Sequence, residues 1–264
     1  MNIKSTAESQ DVTLTVERGL EVLRAFHSER VPLSNAELVR RTGLSKATVS
    51  RLTTTLMRIG FLRRAGGSRH FELGAGALGI GHAYLEVNPV TRVVNPLLQE
   101  VADKLDTGVA LAVAHHQDML YIGCGTSAKI ATLRMGVGSL LPMESTALGR
   151  AYLYGLPADE RIARMDRIFE AAGDHAPATR CSIEAAFDEL KATGVCTCIG
   201  DYQRNAFGIA LPLRVGRSNT LMALNCGAVE LQPDVESIRR RFTPGLKAAA
   251  ATLVEMLADI DCEP

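Results

Sequence analysis

The chain has 264 residues, 47% of them hydrophobic, with 29 basic side chains matched by 29 acidic ones and six cysteines. That length suits one large or two ordinary domains, and with no apolar run of about 18 residues a membrane-spanning helix is excluded. The polar start, MNIKSTAESQDV, lacks the apolar core of a secretion signal, so the expectation is a soluble cytoplasmic protein with reduced thiols.

The balanced charge is unevenly spread. From Arg30 to Phe71, nine Lys or Arg accompany a single acidic residue, Glu37, and both flanking stretches carry an acidic excess. A segment at +8 points to a local polyanion, although charge alone leaves a merely solvated surface open.

In chain order, TVERGLEVLRAF places Val16, Leu20, Leu23 and Phe26 on one helical stripe. In VPLSNAELVRRTG, Ser34 and Glu37 have capping-box spacing, so a short helix begins at Ser34, and Gly43 is placed to end it. Ser45 caps the next helix. Its Val49, Leu52, Leu56 and Ile59 recur three and four apart, while Lys46, Ser50, Arg51, Thr54 and Arg58 take the opposite face. Two helices about a glycine turn form a helix-turn-helix. GFLRRAGGSRHFEL reads as a hairpin about Ala65–Ser68, completing a winged helix-turn-helix over residues 1–73.

Residues 74–90 read as a glycine-punctuated connector helix stopped by Pro89. In the remaining domain, 91–264, an amphipathic helix from Thr91 to Asp106 uses Val94, Leu97, Leu98, Val101 and Leu105. GVALAVAHH and MLYIGCGT pair as a hairpin about Gln117-Asp118, and KIATLRMGVG is a third strand. A helix opens at Ser145 or Thr146, and polar helices fill 157–170 and 181–193. VCTCIGDY, AFGIALPLRV and TLMALNCGAV are three further strands, and a last helix from Pro233 to Ile260 breaks or kinks at Pro244. Helices flanking an antiparallel sheet make an α+β sensor-like domain.

The second helix of a helix-turn-helix enters the major groove with its first residues at base edges. Here these are Ser45, Lys46, Ala47, Thr48, Ser50 and Arg51, with Ser34 at the preceding helix start and Arg69 beside the hairpin tip. Hydroxyls suit phosphates or bases, and Arg or Lys pairs with guanine or phosphate. A winged helix used only for protein contacts is the alternative, and the charge concentration argues against it.

Other motifs carry less. GAGALG has dinucleotide-fingerprint spacing, but the preceding SRHFEL is a polar hairpin arm rather than a buried strand, so no cofactor is expected. Cys196 and Cys198 share a strand face without a second cysteine pair, which reads as buried small hydrophobes rather than a metal site. His115 and His116 point to opposite faces. With no nucleophile elbow, zinc-protease motif or phosphate loop, neither catalysis nor a metal is expected.

The arrangement resembles the IclR family of bacterial transcriptional regulators from about Leu14 to Ile260. It does so through TVERGLEVLRAF, LSNAELVRRTGLSKATVSRLTTTLMRIGFLRR, LPMESTALGRAYL and GDYQRNAFGIALPL followed by MALNCG. The resemblance implies an N-terminal winged helix-turn-helix, a linker helix and a C-terminal GAF-like effector-binding domain. It also implies double-stranded operator DNA as a partner, self-association as a homodimer or homotetramer, and repression or activation of operons in response to small acids. Matching segments carry the effector site to Leu141, Ala147, Leu148, Asp201, Gly208, Leu224 and Cys226. Ser145 and Thr146 add hydroxyls at a helix start suited to anions, and Arg134 is a further candidate donor to an anion, with a water-facing position on an alternating strand as the alternative. Few polar groups among these residues favour an aromatic or medium-sized organic acid over a very small one. The alternative is a redox-responsive regulator acting through Cys124, Cys196, Cys198 or Cys226.

Overall fold

The structure, a computed structural model, describes residues 13–26, 31–130 and 135–262. It divides into two compact units, Met1–Tyr84 and Leu85–Pro264. Among the described residues no helix is long and apolar enough to cross a membrane.

In the first unit, α1 (Leu14–Arg24), α2 (Asn35–Thr42) and α3 (Lys46–Arg58) precede a small antiparallel hairpin of β1 (Leu62–Arg64) and β2 (Phe71–Leu73). The helix ends follow from their capping residues. Ser34 and Ser45 accept from the amides of Glu37 and Thr48, and Gly43 closes α2 in the left-handed region at φ 67°, where a side chain would be strained. The core joins Val22, Phe26, Leu33, Leu38, Val49, Leu56, Leu62 and Phe71. Three expected core positions differ. Val16 and Leu20 are 60% and 48% exposed, because α1 turns Val22 inward instead, while Phe26, just past the helix, is buried as expected. Ile59, the residue that ends α3, is 54% exposed, and Thr53 takes an inward position with its hydroxyl bonded to the Val49 carbonyl.

The connector, α4 (Ala75–Val87), spans the boundary between the units. Asn88 then caps α5 (Pro89–Leu105) by accepting from Thr91 N.

The second unit is built on a six-stranded antiparallel sheet, in spatial order β5-β4-β3-β8-β7-β6. Its strands are β3 (Gly108–His115), β4 (Asp118–Thr126), β5 (Leu140–Pro142), β6 (Cys196–Ile199), β7 (Ala206–Val215) and β8 (Thr220–Val229). The β3–β4 turn falls at His116-Gln117, one residue earlier than expected, because His115 pairs with Asp118. Of the expected strand 129–138, residues 131–134 lie outside the described residues, Arg134 among them. The described flanks form no strand, and the edge strand forms later, at Leu140–Pro142.

Alternation sorts each strand's side chains to two faces. On one face Val109, Leu111, Ile209, Leu211, Met222, Leu224 and Cys226 pack with α5 and with α9 (Val235–Leu257). The α-helical run of α9 passes through Pro244 unbroken. The other face is covered by α6 (Ala147–Gly155), behind which lie α7 (Ala158–Ala172) and α8 (Ala176–Thr193). On the edge strand β6, the amide and hydroxyl of Thr197 are taken by Glu189, which Arg239 holds at 2.8 Å. An edge amide satisfied by a side chain is no template for another strand.

Candidate functional site

The exposed face of α3 carries Ser45, Lys46, Ala47, Ser50 and Arg51, with Thr48 half-buried at the first turn. Arg69 is exposed in the hairpin loop, beside the positive-φ pair Gly66 and Gly67. Ser34 is half-buried, and its hydroxyl oxygen caps α2. The cations of this unit are not equivalent. Glu37 accepts from Arg40 Nε at 3.0 Å and from Arg41 Nε at 2.7 Å, and these two guanidiniums hold its carboxyl down to about 2. Arg63 pairs with Glu72 at 3.0 Å, and Arg64 lies over the Phe71 ring. Among the described residues Lys46, Arg51 and Arg69 enter no ion pair, so their charge is available to a polyanion.

The second unit contains a cleft between the sheet and the start of α6, with about 740 Å³ of atom-free space including its mouth. Small residues in register make its floor. Cys198, Gly208, Gly227 and Gly108 are successive partners across β6, β7, β8 and β3, and beside them run Asn225 and Ala110. Tyr121, Met135, Leu141 and Tyr202 supply apolar and aromatic walls, while the ring of Phe207 packs against Phe242 on the opposite face. Thr146 starts α6: its hydroxyl donates to the Pro142 carbonyl at 2.7 Å and accepts from Gly149 N at 3.1 Å. The first-turn amides of Ala147 and Leu148 have no acceptor within their own helix, as at any helix start, and the positive end of the helix dipole sits with them.

Of the residues expected to form a ligand site, Leu141, Ser145, Thr146, Ala147, Leu148, Asp201 and Gly208 line this one cleft. Leu224 and Cys226 do not. Both are fully buried against α5 and α9, on the opposite sheet face, because their strand neighbours Asn225 and Gly227 are the ones turned to the cleft. A one-residue difference in register changes the face.

Two polar groups escape a reading of the sequence. Arg150, on α6, is buried and donates to the Glu144 carbonyl, to Cys198 Sγ at 2.9 Å and to Asp201 Oδ2 at 2.8 Å. It thereby ties together the two loops beside the cleft and neutralises Asp201, the one ionisable carboxylate in the lining. Asn225 donates to the Tyr121 hydroxyl, while its Oδ1 is shut off from solvent without a partner. Burial pushes that Tyr121 hydroxyl up to about 12, so it stays protonated. The signal in the sequence for Asn225 is a polar residue within the apolar strand TLMALNCGAV, and for Arg150 a lone cation in the apolar helix ALGRAYLYG.

The thiols are equally constrained. Burial pushes Cys198 up to about 12 and raises Cys196, Cys226 and Cys124 as well. Among the described residues no group of three or more His, Cys, Asp or Glu is placed to hold a metal ion.

Comparison with known proteins gives this geometry its context. Residues 15–66 match the model of the IclR helix-turn-helix domain, and residues 82–254 match that of the bacterial transcriptional regulator IclR C-terminal domain. The chain belongs to the IclR family. It is therefore a DNA-binding transcriptional regulator rather than an enzyme. Among its IclR relatives, the Pca regulon regulatory protein of Pseudomonas putida is 27% identical over 97% of this chain and 88% of its own length. An IclR family transcriptional regulator from Brucella abortus has the same fold at TM-score 0.82, with 32% identity over 96% of each chain. An IclR homologue from Microbacterium hydrocarbonoxydans, solved as a complex with 4-hydroxybenzoate, matches at TM-score 0.64 and 20% identity, over 92% of this chain and 98% of its own. That last likeness is one of fold.

Proposed function

We propose that the cleft binds a small aromatic carboxylic acid and that its occupancy sets the affinity of the winged helix-turn-helix for operator DNA. The observation that carries this reading is the composition of the cleft walls. They are mainly apolar and aromatic, with polar groups confined to the hydroxyls and free amides at the start of α6, the paired Asp201, Asn225, Thr126, Gln203 and the tyrosine hydroxyls. A carboxylate is accommodated at the helix start, where N–H groups and the dipole favour an anion. A flat ring has Tyr121 and Met135 around it and small residues beneath it, as apolar ligand sites require. Pairing with Arg150 keeps Asp201 from repelling the acid. The complex of the Microbacterium homologue with 4-hydroxybenzoate supports the ligand class.

On the DNA side, Lys46 and Arg51 with Ser45, Ala47, Thr48 and Ser50 meet the major groove, and Arg69 meets the backbone or minor groove beside it. Ser34 supports the α2 start at the phosphate backbone. The protein works as a dimer, since α1 exposes Leu14, Val16 and Leu20 and α4 exposes Leu78, Ile80 and Val87, apolar surface that a second copy covers. Two recognition helices about 34–36 Å apart match one turn of DNA, so a ligand that changes their spacing changes affinity. A metabolite sensor is favoured over a thiol sensor because burial holds Cys196, Cys198 and Cys226 protonated, and the thiolate is the reactive form.

The test is calorimetric titration of the full chain with 4-hydroxybenzoate, benzoate and pyruvate, followed by mobility shifts on the DNA bordering its own gene. Binding of an aromatic acid, with operator affinity shifted roughly 5–150-fold, is the expected result. Failure of every aromatic acid to bind removes the effector reading. On the same DNA, Arg51→Ala weakens binding by about 1–3 kcal/mol, and a wild-type shift for that variant removes the groove assignment.

A further inference from the structure

Five glycines line the cleft, namely Gly108, Gly125, Gly200, Gly208 and Gly227, and the chain geometry accounts for four of them. A Cβ on Gly125 would overlap the α5 backbone at Leu98, and one on Gly227 would overlap the Phe207 carbonyl. On Gly108 it would meet the Gly227 carbonyl oxygen at 3.2 Å, closer than ordinary contact. Gly200 has φ +76°, a conformation that strains any other residue.

Gly208 is different. It lies in mid-strand on β7, between Cys198 on β6 and Gly227 on β8, with φ outside the left-handed region. A Cβ there would find nothing nearer than the Ala147 Cβ at 3.7 Å, an ordinary van der Waals separation. A glycine in a strand interior weakens the strand through its conformational freedom and its lack of packing. Where the fold does not require it, such a glycine marks the close approach of another group. The space that Gly208 leaves open belongs to the cleft, between β7 and the first residue of α6.

We infer that Gly208 sets the size of effector this chain accepts, its missing side chain holding open the part of the cleft where an aromatic ring lies against β7. This rests on the aromatic-acid reading of the cleft. A methyl group at position 208 takes up the room facing Ala147, and a valine fills it, whereas an acid of two or three carbons at the helix start needs none of that space.

Three versions of the full chain, wild type, Gly208→Ala and Gly208→Val, decide the matter when each is titrated with 4-hydroxybenzoate, benzoate and pyruvate and then unfolded by heat. Gly208→Ala is expected to unfold no lower than wild type. Its preference for the aromatic acids over pyruvate is expected to fall about tenfold, and that of Gly208→Val further, the scale of one or two misplaced methyl groups in an apolar pocket. Folded variants that keep the wild-type preference overturn the inference and leave the aromatic-acid reading intact. A Gly208→Ala protein that unfolds well below wild type also overturns it, since the fold then requires the glycine. A wild-type chain that binds no aromatic acid overturns the cleft reading first and this inference with it.

Discussion

The two faces of the six-stranded sheet come from the same strands and do opposite work. On β8, Met222, Leu224, Cys226 and Ala228 face α5 and α9, while Ala223, Asn225 and Gly227 face α6 and the cleft. On β7, Phe207, Ile209, Leu211 and Leu213 share the first face and Gly208 and Ala210 the second. The first face fills its volume with large branched and aromatic side chains, as close-packed interiors do. The second keeps its side chains small, so a helix laid across it leaves a space. A cavity in a folded protein thus depends on residue volume along alternate positions, and hydrophobicity alone does not locate it.

The largest expected effect comes from the filled face. Leu224→Ala is predicted to destabilise the chain by about 2–5 kcal/mol, read from denaturant unfolding, with ligand affinity of the folded protein unchanged. If it altered affinity without a stability loss, Leu224 would belong to the cleft after all. Arg150→Met comes next, at about 1–3 kcal/mol, because Asp201 loses its partner yet remains 38% exposed and is partly rehydrated. That variant also weakens acid binding, through an uncompensated carboxylate at the cleft. Adding Asp201→Asn restores much of the binding, and a double variant no better than the single one would show that Arg150 acts only through packing. The smallest stability change belongs to Asn225→Ala, at under roughly 1 kcal/mol, since its Oδ1 has no partner to lose. Its signature lies in selectivity: the phenol of 4-hydroxybenzoate is expected to donate to that unpartnered Oδ1, so the preference for it over benzoate should collapse in calorimetry, and an unchanged preference would place the ligand hydroxyl elsewhere.

Legibility in the sequence differed between the two units for a physical reason. Helix caps, a glycine C-cap and a cationic face are local features, and Ser34, Gly43, Ser45, Lys46 and Arg51 show them within a few residues of one another. The strands β6, β7 and β8 were equally plain from their apolar runs. Which face of a strand a residue takes is set by partners far along the chain. The pairing of Gly108 with Gly227 and of Gly227 with Gly208 joins positions that no local pattern connects. Local matching therefore points to Leu224 and Cys226, one residue along the strand from the Asn225 and Gly227 that line the cleft.

By itself the sequence determined the helix-turn-helix, the concentration of positive charge on it, the order of elements in the second unit and the family. Those properties follow from short-range periodicity, capping chemistry and composition. Tertiary structure alone decided that Asn225 rather than Leu224 faces the cleft, that Arg150 neutralises Asp201, and that Gly208 is a glycine the backbone does not need. Each of those depends on what stands opposite the residue in space, and cross-strand register and helix packing bring that neighbour from a distant part of the chain.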